Sequence, residues 1–294
     1  MNVQHFYDPA TFTLTYVVFD EETRDAVVID PVLDFDPAAA STATTCIEAV
    51  EAFVRERNLH LHVAFETHAH ADHLSGSQYL RTRFGAKVAI GARITEIQEV
   101  FRPIFGVAMA TDGSQFDLLL AGGQRLEAGS LTIDVLATPG HTPACVSLRI
   151  GDAVFTGDAL FIEDYGTGRC DFPRGDAAEL YRSVHDVLYA LPPETRVFVG
   201  HDYQPNGRAL RFETTIGVER SANVQLRTET TLDDYVAFRR ARDKTLAAPR
   251  LLFPSVQVNI DGGKLPPPDA SGQRRLHLPL NLGRPTADDG TRLA

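Results

Sequence analysis

The sequence predicts an α/β domain whose strands deliver metal ligands from their ends. Three observations carry this reading. β-Branched runs of strand length alternate with stretches of helical spacing along most of the chain. One run ends in Thr67-His68-Ala69-His70-Ala71-Asp72-His73, three histidines and an aspartate within six residues. Four further strand ends carry Asp30, His141, Asp158 and His201. Strands followed by helices bring their ends to one edge, where the ligand sites of α/β folds gather.

The bulk properties bound the alternatives. The 294 residues suit one large domain or a domain with an appendage, and 44% hydrophobic with 9% aromatic residues can build a sizeable core. A net charge of −11 disfavours nucleic acid, which needs a basic face. Cys46, Cys145 and Cys170 are sparse and lack CxxC spacing, so no disulfide framework is expected. No signal peptide is visible after Met1, and no apolar run approaches the length of a membrane span. The expectation is a cytoplasmic protein of a reducing compartment.

The elements follow in order. Residues 13–19 and 26–30 read as a hairpin whose second strand stops at Asp30-Pro31. Residues 42–57 have helical spacing through Ile47, Val50, Phe53 and Val54 and are expected to cover the sheet. Strand 61–66 leads into the histidine loop. A helix over 77–84, a short strand at 87–90 and a helical or irregular stretch over 94–105 come next. Strand 131–137 ends in Thr138-Pro139-Gly140-His141-Thr142, where Pro and Gly make the turn that presents His141. Residues 145–150 and 153–156 form a hairpin that ends in Gly157-Asp158. A helix over 177–191 precedes strand 196–199, which stops at Gly200-His201-Asp202-Tyr203.

Beyond Tyr203 the organisation changes. Residues 213–223 look like a loop entering a helix. Residues 232–246 are amphipathic, with Tyr235, Phe238 and Leu246 along one side, and are expected to pack over the edge of the site. Residues 255–260 are open between a strand and an extended segment. The tail from Gly262, rich in Pro, Gly and charge, is expected to be ordered only by docking. The expected division is a catalytic domain over 1–212 and a helical and extended extension over 213–294 packed on it.

The histidine loop is a metal site of a particular kind. His68 and His70 point the same way only on an extended segment or loop, unlike the helical HExxH site of a protease. Imidazole suits zinc and iron, and carboxylate adds the charge that holds a divalent ion. A lone His141 or His201 is more often an ordinary surface or core histidine; in this series each reads as a ligand.

The ordered set THAHADH, TPGHT, GDAL and GHDY resembles the metallo-β-lactamase superfamily. The resemblance implies an αββα sandwich, two mixed β-sheets flanked by helices. Within that superfamily the chain resembles glyoxalase II and, more closely, the persulfide dioxygenases (sulfur dioxygenases) in their bacterial β-lactamase-like hydrolase branch. The likeness runs from Asp30 to Tyr203 and returns weakly in Ser255-Val-Gln-Val-Asn259 and Asn281-Leu-Gly-Arg284. The subfamily resemblance rests on Gly166-Thr-Gly-Arg169-Cys170-Asp171-Phe172, similar to the GxGRTDF segment of persulfide dioxygenases with Cys170 in place of the usual Thr. Free Cys packs as a small hydrophobe, and Cys170 is expected to be buried.

Two chemistries are then open. A thioester hydrolase needs a Lewis-acidic metal pair, with His68, His70 and His141 on one ion, Asp72, His73 and His201 on the other, and Asp158 bridging. Such a glyoxalase II-like site would hold two zinc ions or a mixed zinc and iron pair. A dioxygenase needs one redox-active iron held by two histidines and a carboxylate. The persulfide dioxygenase resemblance implies His68, His141 and Asp158 as ligands of one Fe(II) per chain. His70, Asp72, His73 and His201 would then orient those ligands by hydrogen bonding. The same resemblance implies glutathione persulfide and O₂ as substrates, sulfite and glutathione as products, and catalytic roles for Asp72, His201 and Tyr203. Arg169 is expected to present a bidentate fork to a glutathione carboxylate, and Tyr203 a hydroxyl to the substrate sulfur. A homodimer and a rhodanese-type sulfur donor are the protein partners the resemblance leaves room for. A reading outside enzymology is a catalytically silent metal-binding or sulfur-sensing module.

Overall fold

Every residue of Thr13–Phe19 is buried, which requires cover on both faces of the strand they form. The computed structural model describes residues 1–284 and 286–292 and supplies that cover. The chain opens with β1 (Asn2–Asp8), β2 (Thr13–Phe19) and β3 (Asp25–Ile29), followed by β4 (Val32–Asp36), β5 (Ser41–Ala43) and α1 (Thr45–Glu56). Then come β6 (His60–Glu66), β7 (Leu74–Ser75), α2 (Ser77–Phe84), β8 (Lys87–Gly91), α3 (Ile94–Phe105) and β9 (Leu118–Leu120). The second half holds β10 (Arg125–Ala128), β11 (Leu131–Ala137), β12 (Val146–Ile150), β13 (Ala153–Phe155), α4 (Ala177–Arg182), β14 (Arg196–Phe198) and β15 (Glu213–Thr215). Helices α5 (Ile216–Ala222), α6 (Leu232–Asp243) and α7 (Leu252–Asn259) complete it.

Two six-stranded sheets face each other, in the orders β1-β2-β3-β6-β8-β9 and β10 through β15. Period-2 alternation divides β2 between them. Leu14, Tyr16 and Val18 meet Ile133, Val135 and Leu148 of the opposite sheet. Val17 and Phe19 point outward, where Ile47, Val50 and Val54 of α1 close over them. Burying each of those three α1 side chains contributes about 1.5–3 kcal/mol at most. β3, β6 and β8 run parallel, and β11, β13 and β14 share one direction. Their carboxyl ends therefore meet at one rim of the sandwich.

Several expectations are corrected. Residues 255–260 lie in or just past α7, not in a strand or an extended segment. Ser255 to Asn259 are all buried, so the helix shows no polar face and Val-Gln-Val-Asn imitates strand alternation. The helix expected over 232–246 ends at Asp243, and its buried face is Tyr235, Arg239 and Asp243, spaced four apart. Phe238 is 41% exposed, because the inner side of α6 is polar. The helix expected over 177–191 is α4 continued by a π-helical turn, Ser183–Leu188. β15 opens at Glu213, where the extension is expected to begin, and pairs with β14. Among the described residues no helix is long and apolar enough to cross a membrane.

A buried side-chain hydrogen bond helps tie the two sheets beside the site. The Tyr16 hydroxyl, from β2, donates to the Val199 carbonyl at 2.7 Å, one residue before Gly200-His201. Both residues are almost wholly buried. Tyr16→Phe should cost about 1–3 kcal/mol, because the carbonyl loses its buried donor. Urea unfolding measures this; a loss well under about 0.5 kcal/mol would mean that the bond adds nothing net to stability.

Candidate metal centre

The site is assembled from the rim outward. Asp30, at the end of β3, is 2% exposed and has φ of 50°, a left-handed backbone that turns its carboxylate inward. Its oxygens accept the Thr67 amide at 2.7 Å, the Thr67 hydroxyl at 2.8 Å and His70 Nε2 at 2.9 Å. This fixes the first turn after β6. The loop is gripped from the other side by Asn259 of α7. Its amide donates to the carbonyls of His70 at 2.9 Å and His73 at 2.8 Å, and its oxygen accepts the Ser75 amide at 2.8 Å.

His68, His73 and His141 each have one ring nitrogen tied and the other directed into the site. His68 Nδ1 lies 3.0 Å from the Thr67 hydroxyl, and His68 Nε2 has no hydrogen-bond partner. His73 Nδ1 lies 3.1 Å from the Leu74 carbonyl, and its Nε2 is likewise unpartnered. His141 Nδ1 donates to the Arg169 carbonyl at 2.6 Å, leaving Nε2 to face Asp158 Oδ2 at 3.5 Å. Asp158 Oδ2 also faces His68 Nε2 at 4.0 Å, while Oδ1 faces His201 Nε2 at 3.3 Å. His201 Nε2 stands 3.4 Å from Asp72 Oδ2. Ligand atoms of His68, His141 and Asp158 lie within 4.8 Å of one another, as do those of His70, Asp72 and His73.

Buried polar atoms without partners are rare in folded proteins, and here several share one rim. Neutral imidazole nitrogens and carboxylates are the donors a divalent transition ion takes. Burial first, and the neighbouring imidazoles second, hold His68 well below the usual histidine range. Burial and then the His70 charge bring His73 down to about 4. Both rings are therefore neutral at pH 7 and able to ligate. His70 differs. Burial alone would lower it, but Asp30 and Glu66 draw it well above its ordinary value, and its Nε2 is committed to Asp30 with Glu66 Oε2 at 3.3 Å.

A cavity of about 340 Å³ opens onto the rim, lined in part by Asp72, His141, Asp158, Tyr165, Tyr203 and Arg242. Tyr203 stacks on Tyr165 at 4.6 Å and on His201 at 5.5 Å. Burial, then the Asp158 and Asp72 carboxylates, push its phenol well above the tyrosine range, so the hydroxyl stays a donor. Arg169 lines the cavity too, but its guanidinium is forked onto Asp171 at 2.6 and 2.7 Å and donates to the Ala247 carbonyl at 2.8 Å. Its carbonyl, not its side chain, reaches a candidate ligand. Cys170 is buried, and burial raises its thiol far out of the reactive range. Sequence reading missed Asn259, Tyr165, Arg242 and Arg250; only Asn259 carried a signal, as the end of the weak match at 255–259.

The family model of the metallo-beta-lactamase superfamily matches residues 8–201. The chain belongs to that superfamily, and fold, rim and donor set agree with an enzyme of that kind that uses a metal cofactor. A probable metallo-hydrolase of Burkholderia pseudomallei is 47% identical over 96% of this chain and 99% of its own length. The mitochondrial persulfide dioxygenase ETHE1 of Homo sapiens is 34% identical over 76% of this chain and 75% of its own. The crystal structure of ETHE1 from Myxococcus xanthus superposes with a TM-score of 0.73 at 33% identity, covering 90% of this chain and all of that one.

Metal should stabilise the fold. An ion that binds only the folded chain, at 100 times its dissociation constant, contributes about 2.7 kcal/mol. Chelated protein is expected to melt at lower temperature than protein reloaded with iron or zinc. Identical calorimetric traces would show that no ion holds these buried nitrogens.

Proposed function

We propose that the chain is an iron-dependent persulfide dioxygenase, oxidising glutathione persulfide with O₂ to sulfite and glutathione. The observation that carries the reading is the convergence of His68, His141 and Asp158, a 2-His-1-carboxylate set whose ligand atoms lie within 4.8 Å of one another. The likeness to proteins named persulfide dioxygenase supports the reaction class.

Bound iron supplies redox chemistry and open coordination positions where sulfur and O₂ can meet. The chain's own groups do the rest. Tyr203, held protonated beside Asp158, donates its hydroxyl to the substrate sulfur. His201 and Asp72, 3.4 Å apart, form a pair able to hold a proton at the rim. The Tyr165 and Tyr203 rings wall one side of the cavity against water. Since Asp171 occupies the Arg169 fork, the substrate carboxylates fall to Arg242 and Arg250. Both line the cavity and form no ion pair among the described residues; Arg169 is left a secondary contact.

A glyoxalase II-like dinuclear thioester hydrolase is the second reading. It is favoured by the His70, Asp72 and His73 group and by the unpartnered His73 Nε2, donors suited to a second ion.

Metal content separates the two. Protein purified without added metal should carry about one iron per chain and release sulfite from glutathione persulfide. Asp158→Ala should lose the iron. His201→Ala should keep most of it, with affinity or activity down about 10–100-fold. Two zinc ions per chain with thioester hydrolysis would move the assignment to the second reading.

Substrate recognition has its own test. Replacing Arg242 and Arg250 together by Ala should raise KM for glutathione persulfide at unchanged iron content. The expected loss in kcat/KM is about 1.5–3 kcal/mol for each charged hydrogen bond removed. Arg169→Lys should have the smaller effect; the reverse order would return the carboxylate to Arg169.

A further inference from the structure

Helix α6 carries a buried ion pair that nothing above employs. Arg239 is 2% exposed and Asp243 6%, one turn apart, with Nη2 and Nε at 2.7 and 3.1 Å from Asp243 Oδ1. Such a pair is weak as a source of stability, because desolvation offsets the attraction. What distinguishes it is where its remaining atoms go. Arg239 Nη1 donates to the Thr167 carbonyl at 3.1 Å and to Gln225 Oε1 at 2.9 Å, and Gln225 Oε1 accepts the Thr167 amide at 3.1 Å. The Tyr235 and Thr167 hydroxyls are 2.8 Å apart. Asp243 Oδ2 accepts the Cys170 amide at 2.9 Å. The pair thus grips both ends of the segment 167–170.

Between those ends lie two contacts to candidate metal ligands. The Gly168 amide donates to the Asp158 carbonyl at 3.1 Å. The Arg169 carbonyl accepts His141 Nδ1 at 2.6 Å. A Cβ on Gly168 would stand 2.1 Å from the Asp158 oxygen, so the segment lies directly against the ligand's backbone.

We infer that Arg239 and Asp243 are positioning residues for the metal. By clamping 167–170 they keep the Arg169 carbonyl where it selects the His141 tautomer with Nε2 open, and keep Gly168 against Asp158. A hydrogen bond on the far ring nitrogen orients a ligating histidine and raises its basicity. The pair is the second hold exerted on the rim from the C-terminal helices, after Asn259. The inference needs His141 and Asp158 as ligands and is independent of which reaction the metal serves.

Cobalt(II) is the probe, read by its dissociation constant in chelator competition and by its ligand-field spectrum. The variant is Arg239→Met with Asp243→Leu, since well-packed apolar replacements of a buried pair are often neutral or stabilising. The apo double variant should fold but melt below the wild type, since the buried Cys170 amide loses its acceptor, bind cobalt about 10–100-fold more weakly and show a shifted spectrum. Wild-type affinity and spectrum in the folded double variant would overturn the inference. If that variant does not fold, Asp243→Asn is judged by the same two readouts. Arg240→Ala, on the exposed side of α6, should change neither, and an equal loss there would also overturn the assignment. Persulfide turnover plays no part in these readouts, so they stand apart from the fate of the dioxygenase reading.

Discussion

The buried carboxylate of Asp30 is the interaction on which the rim depends. Burial penalises its charge, but His70 and the Thr67 amide and hydroxyl outweigh that and hold it below the usual carboxylate range. A charged group this deep must have every lone pair engaged. It does so by fixing Thr67 and His70, which bracket His68. The left-handed backbone at Asp30 is a local cost accepted to aim the oxygens at β6 rather than at solvent. Without that anchor the loop 67–73 would have no reason to leave β6 at an angle that turns imidazoles across the sandwich.

The candidate ligands His141 and Asp158, with His201 beside them, arrive from the opposite sheet, and their precision comes from elsewhere. His141, Asp158 and His201 end strands that share a direction, so topology brings them to the rim. Topology alone does not choose a ring nitrogen. That choice is made by backbone carbonyls and hydroxyls, Arg169 for His141 and Thr67 for His68. These partners are themselves held by buried side chains, Asp30 on the first sheet and the Arg239 and Asp243 pair on α6. The metal centre is thus specified by polar groups one bond further out than the ligands, and the residues beyond 212 contribute part of that specification.

How much of this is legible in the sequence follows from which signals are local. Strand ends followed by His or Asp can be read directly, and the structure gathers His68, His141, Asp158 and His201 at one rim. Helix α7 is hidden because burial on all sides erases the periodicity that would reveal it. The inner face of α6 is hidden because it is built of Arg239 and Asp243, and a hydrophobic pattern points to Phe238 instead. Arg169 misleads for another reason. A guanidinium beside a proposed site suggests an open fork, but only three-dimensional geometry shows Asp171, two residues on, closing it. Polar partner choice is tertiary information, and it is where sequence reasoning fails here.

The same distinction governs the charge of the cavity. The chain as a whole is acidic, at −11, so its long-range field would repel an anionic ligand instead of steering it. Screening limits that field to about 8–10 Å at physiological salt. At the cavity the charges are mixed: Asp72 and Asp158 line it together with four arginines, of which Arg169 and Arg239 are paired with Asp171 and Asp243 while Arg242 and Arg250 form no ion pair among the described residues. Recognition of an anion would therefore come from short-range, directional contacts made after entry. For an anionic ligand such a site would trade association rate for selectivity, because only charges that fit both guanidiniums would recover what the acidic surface costs.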